Sequence, residues 1–125
     1  MLSGKETIVA CSTPPGRGAI SVIRLSGDKA LSIIQKITKN KPKKETSLLN
    51  FPLDEGLNEK CVLTIFKSPN SYTGEDVVEI STHGNPLIVE KVINKCLNSG
   101  AKIAKPGEFT LRAFLNNKLT LDQSE

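Results

Sequence analysis

The chain has 125 residues, a formal net charge of +4 and an apolar share of 38%. That length suits one domain around one core, no apolar run approaches the ~18 residues of a membrane span, and the N-terminus lacks the basic stretch and long apolar core of a secretory signal. Three cysteines without a CxxC pair, and one histidine, disfavour a structural zinc site and suit reduced, buried thiols in a cytosolic protein.

Thr7 to Cys11, rich in β-branched residues, reads as a strand. "STPPGRG" is a loop, and "AISVIRLSG" a second strand ending in a turn at Ser26-Gly27. Asp28 is placed to cap a helix whose apolar residues Leu31, Ile34 and Ile37 recur at helical spacing. The basic run "KITKNKPKKE" follows, and Asn40 and Pro42 make it a solvated loop; no aromatic residue interleaves with it, so a stacking platform for single strands is poorly supported. "ETSLLNFPLDEGLNE" shows no clear period. "KCVLTIFK" and "DVVEIST" read as strands, separated by the polar loop "SPNSYTGE". "HGN" is a tight turn, and Pro86 occupies the first position of an amphipathic helix, "PLIVEKVINKCLNS", closed by Gly100. "AKIAK" is a short strand, and Glu108 to Asn117 a short helix. The order β-β-α-β-β-α-β-α favours an α+β fold, with helices packed against a mixed β-sheet.

Alternation singles out two charged residues. Ile20, Val22 and Arg24 share one face of their strand, so Arg24 either snorkels into water at a strand end or sits at a pocket rim, where a guanidinium suits a carboxylate or phosphate. Val77, Glu79 and Ser81 share a face of theirs. Glu79 is either a solvent-facing strand residue or a carboxylate whose two oxygens match adjacent N–H donors of a heterocycle. Lys118 either completes a helix dipole or supplies a ligand cation. His83 lacks a neighbouring nucleophile or acid in the sequence and reads as structural. No GxxxxGK[ST] occurs, so nothing here cradles a nucleoside triphosphate. After the short helix, Thr120-Leu121-Asp122-Gln123 has the form of a capping box, a helix start with only two residues after it.

"TPPGRGAISVIRLSG", "SYTGEDVVEISTHGNP" and "KPGEFTLRAFLNNKLTLDQSE", in that order and spacing, closely resemble the N-terminal domain of the MnmE (TrmE) family of tRNA-modification GTPases. The match covers the whole chain, loosely from about Lys39 to Glu59. "HGN" stands where relatives often have "HGG", and Glu6 where many have Asp; neither change removes an implied ligand contact. The resemblance implies a fold similar to the tetrahydrofolate-binding domain of aminomethyltransferases. It divides the chain into a folate-binding and dimerisation domain over residues 1–118 and, at 119–125, the start of the first helix of a truncated helical domain. That reading accounts for the helix start at the end of the chain.

For the full-length protein the resemblance implies a cytoplasmic GTPase, with no membrane association. It would work as a homodimer with the flavoprotein MnmG, in a heterotetramer. Together they modify C5 of the wobble uridine U34 of tRNAs by carboxymethylaminomethyl or aminomethyl addition. The implied one-carbon source is 5-formyl-tetrahydrofolate or a related tetrahydrofolate. GTP, Mg2+ and K+ belong to a GTPase domain outside this chain, which holds no catalytic residue of its own. The implied folate contacts fall on Arg24, Glu79 and Lys118. Glu79 suits the pterin ring N–H and exocyclic amine, while Arg24 and Lys118 suit the tail carboxylates and the carbonyl acceptors. The alternative is a structural domain that dimerises and docks tRNA or a partner protein without folate.

Overall fold

In β2 (Ile20–Ser26) every second residue from Ser21 to Leu25 is buried, Ile23 and Leu25 completely, so the strand must lie in a sheet with one covered face. The computed structural model describes residues 6–13 and 19–117 and shows such a sheet. Its other strands are β1 (Ile8–Cys11), β3 (Thr46–Asp54), β4 (Leu57–Phe66), β5 (Val77–His83) and β6 (Lys102–Ile103). The helices are α1 (Ala30–Thr38), α2 (Pro86–Asn98) and α3 (Glu108–Leu115). The six strands run in the order β3-β4-β5-β2-β1-β6. β1 and β6 are parallel and every other pair is antiparallel, which gives the expected mixed α+β sheet.

α1 and α2 pack on one face, over Val9, Ile23, Leu25, Phe51, Leu63 and Ile80. The opposite face carries Val22 and Arg24 from β2, Glu79 and Ser81 from β5, Val62 and Thr64 from β4, and Leu48 from β3, placed side by side by the register.

Two expectations change. The segment without a period is β3, paired with β4 through a turn at Glu55-Gly56, where Gly56 takes φ +76°. Its alternation is real, with Leu49, Phe51 and Leu53 turned inward, but adjacent Leu48 and Pro52 obscure it. β3 is an edge strand, the place where a sheet tolerates proline. The cap of α1 is also not Asp28. Lys29 holds that position without a side-chain bond, and its amide donates to Thr7 Oγ1 at 3.0 Å. A hydroxyl from the residue just before β1 thus satisfies an orphan amide of the helix start.

That arrangement needs Gly27, at φ +141°, because a Cβ there would fall 2.6 Å from Thr7 Oγ1 and 2.7 Å from Thr7 Cα. α2 starts as the sequence predicts, with Pro86 in its first turn and the Asn85 side chain accepting from Leu87 N at 2.8 Å. α3 ends two residues before the expected Asn117. The division at residue 118 and the capping box at 120–123 lie outside the described residues.

Candidate functional site

β2 and β5 are neighbours, and their register sets Arg24 opposite Glu79. Both point to the face that α1 and α2 leave free. Arg24 Nε donates to Glu79 Oε2 at 3.0 Å, with side chains 20% and 24% exposed. The guanidinium carbon also lies 5.1 Å from the Tyr72 ring centroid and 5.3 Å from that of Phe109. One cation is therefore held by a carboxylate and two aromatic faces, each worth about 0.5–2 kcal/mol where partly desolvated. Of the two readings open for Arg24 and Glu79, both charged groups being free in water is excluded. Both are half-buried and in direct contact. Among the described residues no hydrogen bond reaches Glu79 Oε1 beside the occupied Oε2.

Tyr72 and Phe109 come from the 67–76 loop and from α3, which are tied together by a buried polar cluster. Arg112 Nη1 donates to Glu75 Oε1 at 3.0 Å, with side chains 7% and 4% exposed. Ser26 Oγ donates to the same Glu75 oxygen at 2.7 Å and lies 2.7 Å from Thr73 Oγ1. Arg112 Nη2 reaches Glu108 Oε2 at 3.2 Å, one helical turn earlier. Asn116 Nδ2 donates to the Thr73 carbonyl, and the Tyr72 hydroxyl meets Thr110 Oγ1 at 2.9 Å. No buried side-chain polar atom among the described residues lacks a partner, which is the condition for a buried charge pair to be tolerated.

The sequence reading missed this cluster. One signal was available: Arg112 sits beside buried Ala113 and half-buried Phe109, on the inward side of α3. Lys118 lies outside the described residues.

His83 does have an acidic partner. Its Nδ1 and its backbone amide both meet Glu59 Oε2, at 2.7 and 2.9 Å, across the strands β4 and β5. No nucleophile joins them among the described contacts, so the pair reads as a tie across the end of the sheet. The three thiols are free. Burial, with the Glu59 carboxylate adding to it, pushes Cys61 up to about 12. Burial alone does the same for Cys96, also to about 12. Both are inert packing residues at neutral pH.

The fold and this site define a class first: an α+β domain with a mixed sheet, helices on one face, and a clamped carboxylate–guanidinium pair on the other. The family described as "GTP-binding protein TrmE N-terminus" matches residues 7–118, and the chain belongs to that family. It is 52% identical over 122 residues to proteins named "tRNA modification GTPase MnmE" from Francisella tularensis subsp. holarctica (strain OSU18) and subsp. novicida (strain U112). A protein of the same name from Francisella philomiragia subsp. philomiragia is 52% identical over 123 residues. Each match takes in 97% of this chain and 27% of the relative, so the chain spans about a quarter of the length of these proteins.

Proposed function

We propose that this chain is the tetrahydrofolate-binding and homodimerisation module of a tRNA-modification GTPase. The full-length protein would act with the flavoprotein MnmG on C5 of U34. The observation that carries the folate reading is the Arg24–Glu79 pair on the open face, its guanidinium against the rings of Tyr72 and Phe109. The donor set fits a pterin: a carboxylate with one oxygen still free, beside flat aromatic surface. 5-Formyl-tetrahydrofolate would supply the one-carbon unit. Glu79 would accept the adjacent ring N–H and exocyclic amine, and Arg24 would hold the carboxylate in its ionised, correctly turned form. Because Arg24 and Glu79 are in contact, Arg24 serves the pterin end, which leaves the tail carboxylates to other cations such as Lys118.

The same face supports the dimer reading. Ile20 is 62% and Leu48 73% exposed, and they lie in line with half-buried Val22 and Val62. A second copy covering this row would bury it. GTP, Mg2+ and K+ fall to parts of the full-length protein beyond this chain.

Calorimetric titration with 5-formyl-tetrahydrofolate tests the folate role. Glu79→Gln removes the charge and turns an amine toward a donor, so affinity should fall roughly thirty- to a thousand-fold, equivalent to about 2–4 kcal/mol. Wild-type affinity in a correctly folded Glu79→Gln chain would refute the pairing.

A further inference from the structure

We propose that the lysine-lined cleft at the end of β4 is a subsite for the poly-γ-glutamyl tail of a folate. This rests on the folate reading above and extends it to the form of the ligand. The cleft exists because β4 runs on to Phe66 while its neighbour β3 begins only at Thr46. The preceding loop folds back over the gap, where Ile65 N donates to the Glu45 carbonyl at 2.7 Å. The resulting hollow of about 460 Å³ is lined by Lys41, Lys43, Lys44 and Lys67; it wraps the end of β4, taking in Thr64 and Phe66 from the open face and Ile65 with Leu31 of α1 from the helix side. Lys43 and Lys44 also line a second, shallower hollow of about 540 Å³ that reaches Thr46, Leu48 and Val62 on the open face.

Charge and position select the ligand. None of these four lysines takes part in an ion pair among the described residues, and Glu45 is the lone acid in the lining. The hollow therefore has an uncompensated positive charge suited to a polyanion. Thr64 connects it to the ligand site, since it lies opposite Glu79 in the register, on the same face. Neighbouring strands are ~4.8 Å apart, so the cleft begins about one strand from the Glu79 carboxylate. A ligand anchored at Glu79 would leave that site across β4 and meet the lysines next.

Lysines on flexible stems suit carboxylates spaced along a mobile chain, whereas a fixed bidentate contact would call for arginine. An RNA backbone would also meet the charge. It gains nothing from the connection to Glu79, and the lining offers one half-buried aromatic ring in place of a stacking surface.

The test titrates the 125-residue chain with 5-formyl-tetrahydrofolate bearing one or five γ-linked glutamates, at low and at moderate salt. The Lys43→Gln/Lys44→Gln chain is titrated in parallel; both positions are exposed, so the fold should be unaffected. Two or three exposed charge pairs make the longer ligand bind roughly tenfold tighter at low salt, and less so as salt rises. The double variant should bring that ratio close to one. Glu79→Gln separates the two readings: it should weaken both ligands and leave their ratio in place. If Glu79→Gln changes neither affinity while the ratio stands, the pterin pairing fails and the tail subsite survives. Equal affinity for the two lengths in the wild type, or an unchanged ratio in the lysine variant, overturns the subsite. A uridine oligomer that binds the wild type and is lost in the lysine variant, with no glutamate-length preference, assigns the cleft to nucleic acid and overturns it as well.

Discussion

Arg112 and Glu75 form the most deeply buried ion pair among the described residues, and its energetics can be worked from the contacts. Removing one member of a buried pair leaves an uncompensated charge and typically costs about 3–5 kcal/mol. Glu75→Gln belongs at the lower end. Arg112 keeps Glu108 Oε2 at 3.2 Å, and the glutamine oxygen can still accept one bond. Its amide, however, faces Ser26 or Arg112, where only an acceptor was satisfied. We expect a loss of ~3 kcal/mol. Arg112→Met is harsher: Glu75 keeps the Ser26 hydroxyl at 2.7 Å and no cation, for ~4 kcal/mol. Taking both charges away, as Glu75→Leu/Arg112→Met, should recover a large part, because an apolar pair of similar volume often replaces a buried ion pair without loss. In the cycle closed with the Glu75→Leu single variant, the coupling should exceed ~2 kcal/mol. Urea unfolding followed by circular dichroism measures this, given an unchanged slope with denaturant. Single variants that each cost under ~1 kcal/mol, or losses that simply add in the double variant, would show that the pair does not tie α3 to the loop.

Three other outcomes follow from the geometry. Gly27→Ala should destabilise the chain by about 2–5 kcal/mol, since the new methyl collides with the Thr7 backbone at a φ that L-residues avoid; an unfolding midpoint like that of the wild type would count against it. The folded thiols of Cys61 and Cys96, at about 12 against an ordinary 9.0, bind protons that the unfolded chain releases first, so stability should hold below pH 9 and fall as pH climbs toward 12, a decline that Cys61→Ala/Cys96→Ala should flatten. Leu48→Lys should weaken self-association measured by sedimentation while changing monomer stability by no more than about 0.5 kcal/mol, as suits a side chain 73% exposed; an undiminished dimer would remove this face from the interface.

The parts of this fold that sequence reasoning reached are those governed by short-range rules. α2 was visible because Pro86 and Gly100 mark its ends chemically, although the Asn85 cap was read only as part of a turn. The phase of Arg24 and Glu79 was visible because alternation along a strand fixes the face before any partner is known. What stayed hidden depended on contacts between segments distant in sequence. Nothing near Asp28 reveals that Thr7 will cap α1 from 22 residues away. Glu75 in "TGED" looks like an ordinary turn acid until α3 brings Arg112 against it, 37 residues on. The pairing of Arg24 with Glu79 needed the antiparallel alignment of β2 with β5, which spans 55 residues. β3 was hidden for a local reason, since Pro52 and the doubled Leu48-Leu49 break the pattern that an edge strand can afford to break.

The placement of the site follows from an imbalance in the layers. α1 and α2 occupy one side of the sheet, so among the described residues the other side has α3 and the 67–76 loop to cover it, at the end where β2 and β5 reach Ser26 and Val77. Val77 is fully buried there, while two steps along the same face Glu79 is half open and four steps along Ser81 is more distant from the cover still. Arg24 and Glu79 therefore stand at the boundary between a dry and a wet surface. On the dry side, aromatic rings and a buried ion pair hold the guanidinium in place. On the wet side, a ligand can approach. Holding the charged groups before the ligand arrives reduces the side-chain ordering that binding must otherwise supply, about 0.5–1.5 kcal/mol for each rotamer-rich side chain fixed. In the proposed folate site the Arg112–Glu75 pair would contribute by that route: it would touch no ligand group, but it ties α3 to the 67–76 loop and so holds Phe109 and Tyr72 against Arg24, the partner of Glu79.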